Sequence, residues 1–279
     1  MNTAPLKRLH APLPTLAAWI AHFRAAPIPV MAGTAAAIGE LIDHEDWVDA
    51  HTIAESIGAD PLMTLKLLSH VGTVSRRETD VETVTAALVL MGVGPFFRTF
   101  SSQLTIEDVL ADMPEALAGA HAVLDRSYRS ARFALGFAAH RLDPDAAVLH
   151  EAALLHDFVE LLLWCHAPGL ALQLANRQAA DVTLRSADAQ RAVLGIELPQ
   201  LQQALMKSWR LPALLIRLDD DSNAEASQVK NVLLAVRVAR HSAQGWDNAA
   251  LPDDVAAVGA LLQLSSTSAL KLLREIDES

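Results

Sequence analysis

The sequence contains little cysteine, few aromatic residues and no long uncharged run. Its single cysteine, Cys165, cannot form an internal disulfide, so we expect a reducing, cytoplasmic environment. Aromatic residues are 5% of the chain, and alternating runs of β-branched and aromatic residues are missing, which argues against a sheet-rich fold. The uncharged stretch 161–176 contains Pro168 and is shorter than the roughly 18 residues that span a membrane, so we predict no membrane segment.

Positive charge is also scarce. Lys and Arg total 22 against 33 Asp and Glu, which gives a formal net charge of −11. Such a chain repels polyphosphates, and the basic pairs Lys7-Arg8 and Arg76-Arg77 are isolated rather than parts of a basic face. We therefore predict no nucleic-acid partner.

Apolar residues at helical spacing are what the chain has in abundance. Hydrophobic residues make up 52% of the sequence, and Leu16, Trp19, Ile20 and Phe23 illustrate the i, i+3, i+4, i+7 pattern of one helix face. We predict an all-α fold. Asp60-Pro61 and Asp143-Pro144 each predict a helix start, because Asp suits the N-cap and Pro the first helical position.

The same pattern predicts a series of helices with short connections. The helix from Asp143-Pro144 is expected to run through His156 and Asp157 to about Cys165. The five tryptophans are predicted to anchor helices in the core, and Cys165 is predicted to be a packed core residue. Further helices are expected at about 30–42, 51–57, 61–72, 84–91, 115–140, 168–179, 187–193, 198–209, 212–218, 226–243, 253–263 and 267–276.

The His156-Asp157 pair is the one constellation with a specific chemical interpretation. Adjacent His and Asp bind a hydrolytic metal only if other helices supply further ligands. Without those ligands, such a pair in a helix is a hydrogen-bonded structural pair. The dipeptide alone does not decide between the two.

The surroundings of this pair resemble a known family. The string from Ala153 to Leu163, with Leu-Leu-His-Asp within it, resembles the core motif of the HD superfamily of metal-dependent phosphohydrolases. Pro27-Ile28-Pro29-Val30, Ala59-Asp60-Pro61-Leu62 and the segment 84–92 resemble motifs of the HD-related output domain (HDOD) family, in the family's order. With Tyr128–Ala131 and Lys207–Pro212, the resemblance covers about residues 25–245.

This resemblance implies the architecture of the chain. An N-terminal helical lobe is expected to pack on a degenerate HD-like helical lobe. We divide the chain accordingly into an N-terminal extension helix (1–24), the N-terminal lobe (25–113), the HD-like lobe (114–245) and a C-terminal helical extension (246–279).

Two arginines stand where catalytic HD enzymes carry metal ligands. Aligned by motif, Arg129 takes the place of the first metal-binding His and Arg240 that of the last Asp. A guanidinium has no available lone pair and repels a divalent cation. The resemblance thus implies a vestigial HD site of His156, Asp157, Arg129 and Arg240, with no catalytic residue, metal or other cofactor. We expect both guanidinium groups to hydrogen bond to the carboxylate of Asp157.

The resemblance implies a noncatalytic regulatory module of bacterial signal transduction that binds a protein partner. A small ligand in the groove between the lobes, flanked by the helix from Asp60 and the His156 helix, is a further expected partner. The alternative is a divergent metal-dependent phosphodiesterase or nucleotidase that recruits His150, Glu151 or Asp219 as additional ligands. A helical adaptor without any ligand, in which His156-Asp157 closes a buried network, is the third interpretation.

Overall fold

The computed structural model of the chain describes residues 6–74, 81–181 and 183–278. Over these ranges the chain is helical and forms no strand, although one isolated parallel bridge joins Val30 to Thr105. The predicted all-α class is therefore confirmed. The basic pair Arg76-Arg77 lies outside the described residues.

The helices follow one another through short connections. The first half contains α1 (Leu16–Ala25), α2 (Ala32–Ile42), α3 (Ala50–Ile57), α4 (Pro61–Val74), α5 (Val84–Met91), α6 (Val93–Phe100), α7 (Ile106–Val109) and α8 (Pro114–His140). The second half contains α9 (Ala146–Leu155), α10 (Phe158–His166), α11 (Pro168–Ala180), α12 (Ser186–Leu194), α13 (Leu198–Ser208), α14 (Ala213–Leu218), α15 (Ser227–His241), α16 (Leu251–Leu262) and α17 (Ser266–Glu278). Short 3₁₀ turns occupy Glu45–Trp47 and Asp221–Asn223.

The helices group into two compact units that each combine distant parts of the chain. Unit 1 contains Met1–Leu124 and Asp157–Leu211, and unit 2 contains Asp125–His156 and Pro212–Ser279. This grouping differs from the four consecutive segments expected from the sequence, because helices far apart in sequence pack together, as α1 does with α13. The four segments themselves stay a prediction.

Unit 1 is held together by aromatic and aliphatic side chains on several helices. Trp19 and Phe23 of α1 are fully buried and stack with ring centroids 5.8 Å apart. The three phenylalanines of α6, Phe96, Phe97 and Phe100, are buried as well, and their rings contact one another. In the same unit α4 packs on α5 and α10, and α10 packs on α11 and α13.

Asp60 fixes the start of α4 as the sequence predicts. Its buried carboxylate accepts the N–H groups of Leu62 at 2.9 Å and Met63 at 3.0 Å, which satisfies donors of the first turn. It also accepts the N–H of Met31 at 2.7 Å, at the N-cap of α2. A single buried carboxylate therefore ties two helix starts together.

Unit 2 is built around α15, which packs on α9, α14 and α16. The carboxylate of Asp254 on α16 is fully buried and lies 2.5 Å from a nitrogen of Arg237 and 2.5 Å from Nδ1 of His241, both on α15. Two partners for one buried carboxylate offset the cost of removing its charge from water. This ion pair cluster locks α16 against α15.

The structure corrects two predicted helix boundaries. Asp143 does not cap a helix at Pro144; its carboxylate accepts the N–H of Asp145 at 3.0 Å in a turn, and α9 begins at Ala146. The predicted continuous helix to Cys165 is also wrong, because it breaks at His156-Asp157 and resumes as α10. The segment between α6 and α7 is non-helical, and the side chain of Thr105 caps α7.

The tryptophan prediction holds for three of the five residues. Trp19, Trp164 and Trp209 are buried. Trp47 is 91% exposed in its 3₁₀ turn, so its prediction as a core anchor is wrong. Trp246 lies outside any helix and is partly exposed, with the guanidinium of Arg274 5.9 Å from its ring centroid. Cys165 is fully buried, as predicted.

No single helix among the described residues is both long and apolar enough to cross a membrane. Two bent combinations reach that length and composition together, namely Ala146–His166 with Pro168–Ala180 and Leu251–Leu262 with Ser266–Glu278.

Candidate functional site

The His156-Asp157 pair occupies the break between α9 and α10. His156 keeps helical backbone angles, whereas Asp157, with φ −110° and ψ 20°, leaves the helical region. Both side chains are partly exposed. The carbonyl of Asp157 accepts the N–H of Leu161 at 3.2 Å and so begins α10, while its carboxylate makes no cap bond to that helix. The motif therefore lies at the break between these two helices.

Arg129 projects from α8 within unit 2 and is held by three partners. Its Nε and Nη2 donate to the two carboxylate oxygens of Asp277 on α17, at 2.8 and 2.9 Å. Nη2 also donates to the hydroxyl of Ser242 at 2.7 Å, and Nη1 to the carbonyl of Ala239 at 3.3 Å. Because the carboxylate pair is bidentate and about four-fifths buried on both sides, the guanidinium is fixed in place.

Arg240 lies near this cluster in sequence and in space. It belongs to the last turn of α15 and is exposed, directly after the residue whose carbonyl accepts from Arg129. The structure therefore brings the two predicted arginines to the same end of α15. Their expected ion pairs with Asp157 stay a prediction.

The alternative ligand residues belong to α9 and to the end of α14. His150 and Glu151 lie on α9, and Asp219 is the C-cap residue of α14, which packs on α9. Burial lowers the pKa of His150, which favours a neutral ring. Over residues 6–74, 81–181 and 183–278, no group of three or more His, Cys, Asp or Glu side chains is arranged to hold a metal ion.

The donor set therefore does not fit the metal of catalytic HD enzymes. A hydrolytic metal needs three or more protein donors and an open position for water. At the expected position of the first donor stands a cation, the Arg129 guanidinium, paired with Asp277. No chemical step through a metal can be derived from these residues.

Asp277 is the residue of this cluster that the sequence does not reveal. It lies 148 positions from Arg129, near the end of α17, in a segment that carries no motif. Ser242 is 113 positions away, and the third acceptor is a backbone carbonyl that any residue type supplies. The C-terminal helices would have to be placed in space before this pairing could be predicted.

The sequence matches a known protein family over most of its length. The model of the HDOD domain matches residues 28–221. The chain belongs to the HDOD family. The match ends before Arg240, and it also ends before Ala239, Ser242 and Asp277, so the acceptors of Arg129 all lie outside the HDOD match. Among the curated proteins no match was found.

Solved structures share the helical fold of this HDOD protein. The MmoQ response regulator from Methylococcus capsulatus is 21% identical, with a TM-score of 0.67 over 88% of this chain and 98% of that chain. A virulence factor from Campylobacter jejuni is 17% identical, with a TM-score of 0.67 over 95% of this chain and 99% of that chain. These similarities cover more of the chain than the HDOD match over residues 28–221 does.

Proposed function

We propose that this HDOD protein is a noncatalytic regulatory module of signal transduction that acts by binding a protein partner. The observation that carries the proposal is the bidentate pair of Arg129 with Asp277. In the motif alignment Arg129 takes the position at which a hydrolytic relative carries its first metal donor, and the pair with Asp277 holds its guanidinium in place. The fixed guanidinium is electrostatically opposed to a divalent cation.

The pairing also gives the arginine a structural purpose. It connects α8 to α17 and to the end of α15, so the same side chain contributes to the packing of unit 2. A charge-assisted pair of this kind stabilises a fold by about 1–3 kcal/mol. In this proposal the position of the first metal ligand has become a structural ion pair of unit 2.

The regulatory part of the proposal rests on the family. HDOD domains are related to HD phosphohydrolases, and one structural neighbour carries the name response regulator. A module without chemistry of its own transmits a signal through a change in what it binds. We therefore propose that the module passes its signal on by binding a protein partner.

Hydrolysis assays test the noncatalytic part. Purified protein would be incubated with bis(p-nitrophenyl) phosphate, p-nitrophenyl phosphate, a cyclic dinucleotide and a nucleoside monophosphate, each in the presence of Mg²⁺, Mn²⁺ or Fe²⁺. We expect rates equal to those of the metal ions alone. A metal-dependent rate that is lost in both His156→Ala and Asp157→Ala would overturn the proposal in favour of a divergent phosphohydrolase.

Reciprocal capture tests the partner. A tagged copy of the protein is cross-linked in its host and the captured proteins are identified, after which each candidate is tagged and the capture is repeated. We expect one protein to be recovered in both directions and to bind the purified module directly. If no candidate binds the purified module, the interaction part of the proposal fails while the noncatalytic part stands.

A further inference from the structure

Unit 1 contains a cavity of about 450 Å³ beside the middle of α4. Its walls are α1, the residues up to Ile28, one face of α4, the end of α6 and the side chain of Trp209. Cavities of a few hundred cubic ångströms are the size of small-molecule sites. The volume is therefore sufficient for a metabolite and too small for a folded partner.

The walls of this cavity carry positive and polar groups. Arg24, Lys66 and His70 line it, and none of the described residues that line it is an Asp or a Glu. The chain as a whole has a formal net charge of −11. The wall of this cavity is therefore more positive than the protein as a whole. Such a wall favours a negatively charged occupant.

Lys66 is the most constrained of the three groups. It lies in α4 between buried neighbours, and its ammonium donates to the carbonyl of Ile28 at 2.9 Å and to Oε1 of Gln103 at 2.5 Å. An ammonium has three N–H donors, so one remains for a ligand. Burial lowers the pKa of Lys66 to about 8, against the opposing effect of Asp60. A bound anion would compensate part of this desolvation cost.

Arg24 and His70 supply further donors. Arg24 is exposed at the end of α1, and among the described residues no hydrogen bond or ion pair holds its guanidinium. His70 lies one turn after Lys66 with its ring edge against Phe100, at 5.5 Å between centroids. Burial lowers the pKa of His70, so the neutral ring offers one N–H.

Aromatic side chains form the apolar part of the wall. Phe23, Phe100 and Trp209 line the cavity. Gly72 allows Trp209 to approach α4, because a Cβ at position 72 would lie 2.9 Å from the Trp209 carbonyl oxygen and 2.5 Å from that of Arg210. Cationic groups beside aromatic surface match a ligand that combines an anionic group with an apolar body.

We propose that this cavity binds a small organic anion, whose carboxylate or phosphate group contacts Arg24, Lys66 and His70. The ligand's apolar part packs on Phe100 and Trp209. This binding is independent of the proposed protein partner and of the absence of catalysis.

Calorimetric titration of the full-length protein tests the proposal with four probes: inorganic phosphate, adenosine monophosphate, benzoate and adenosine. We expect saturable one-to-one binding of at least one organic anion. We expect no binding of adenosine, which lacks the charge. Binding of adenosine monophosphate alone assigns a phosphate group, and binding of benzoate alone assigns a carboxylate. Equal binding of adenosine and its monophosphate, or no binding of either organic anion at millimolar concentration, overturns the proposal.

Two variants locate the binding in the cavity. Arg24→Gln and Lys66→Met should each weaken the anion at least about tenfold, the value of one charge-assisted hydrogen bond. Lys207→Met is the matched control, because Lys207 is exposed in the same unit and does not line the cavity. Arg24 is exposed, so its variant remains informative if Lys66→Met unfolds. Unchanged affinity in Arg24→Gln would place the anion elsewhere and contradict the proposal.

Discussion

At the scale of single residues, burial lowers the pKa of two basic side chains of unit 1. Lys66 lines the cavity with a pKa of about 8, and His166 lies at the end of α10 with a pKa of about 4. The pKa of Lys66 affects the affinity for an anion, and the pKa of His166 affects folding stability. Both shifts come mainly from desolvation of the charged form.

Anion binding should depend on the protonation of Lys66. Asp60, Arg24 and His70 are the charged or titratable groups around it, and His70 is neutral above pH 7 because burial lowers its pKa. The ammonium of Lys66 loses its proton as pH rises through about 8, so affinity for the anion should fall by about tenfold between pH 7 and pH 9. Titrations at the two pH values measure this change. In Lys66→Arg, whose charge persists at both values, the affinity should stay constant.

Folding stability should depend on His166. Its ring packs against Phe23 and His22, with 5.6 Å between centroids in both cases, and burial together with the neighbouring His22 lowers its pKa to about 4. Between about pH 6.5 and pH 4 the unfolded chain binds a proton at this ring and the folded chain does not. Stability from this group is therefore complete above pH 6.5 and is lost as pH falls toward 4.

Urea unfolding at pH 7.5 and pH 5 measures that loss. Between these two pH values, the free energy of unfolding should fall by about 2 kcal/mol more in the wild type than in His166→Leu, because leucine binds no proton. The variant His44→Leu, at an exposed histidine, should lose as much as the wild type. Equal losses in the wild type and in His166→Leu would show that this ring does not govern the acid response.

At the scale of helices, close approach at one glycine determines the geometry of α4. A Cβ at Gly72 would overlap the backbone oxygens of Trp209 and Arg210, whereas a Cβ at Gly39 of α2 meets no atom within 4 Å. Gly72→Ala should destabilise the protein by about 1–3 kcal/mol through forced backbone movement. Gly39→Ala should stabilise it by about 0.5–1 kcal/mol, because alanine favours a helix. Thermal unfolding of both variants tests this contrast, and a neutral Gly72→Ala would contradict the packing.

The same scale applies to the attachment of α17 through Arg129. Asp277→Ala should destabilise unit 2 by about 1–3 kcal/mol, because it leaves a largely buried guanidinium without its carboxylate. Glu275→Ala on the same helix is the control. Glu275 forms an exposed pair with Lys271, so its loss should cost less than about 0.5 kcal/mol. Chemical denaturation compares the two. Equal effects would mean that the Arg129 pair contributes no more than a surface ion pair.

Helix positions could be predicted closely from the sequence because their signals are local. Asp60-Pro61 fixes α4, Gly92 ends α5 at a positive φ of 84°, and the long periodic segment becomes α8. The break at His156-Asp157 was missed because apolar residues continue on both sides of it. Nothing in the local pattern distinguishes two consecutive helices from one continuous helix there.

The candidate site and the cavity depend on contacts between distant segments. Lys66 is the only Lys, Arg, Asp or Glu of α4, which marks an unusual position. Its partners Ile28 and Gln103, however, lie 38 and 37 positions away along the chain. The partner of Arg129 is more distant still. Spacing along the chain carries no information about such pairs, so the sequence alone identifies the residues without their roles.

At the scale of the whole molecule, the HDOD match covers one part of the chain, and the residues that hold Arg129 lie in another part. The HDOD match covers residues 28–221, whereas the three acceptors of Arg129 lie at 239, 242 and 277. The segment after the matched region therefore supplies the hydrogen-bond acceptors of Arg129. In the proposed account, the arginine replaces a metal ligand and the C-terminal segment supplies the acceptors that hold this arginine.

Metal content per chain tests the central claim most directly. Tag-free protein would be equilibrated with Mg²⁺, Mn²⁺, Fe²⁺ or Zn²⁺, desalted, and analysed by plasma mass spectrometry beside His156→Ala and Asp157→Ala. The account predicts far less than one metal per chain in all three proteins. One or two metals per wild-type chain, lost in both variants, would contradict it and identify a working metal site.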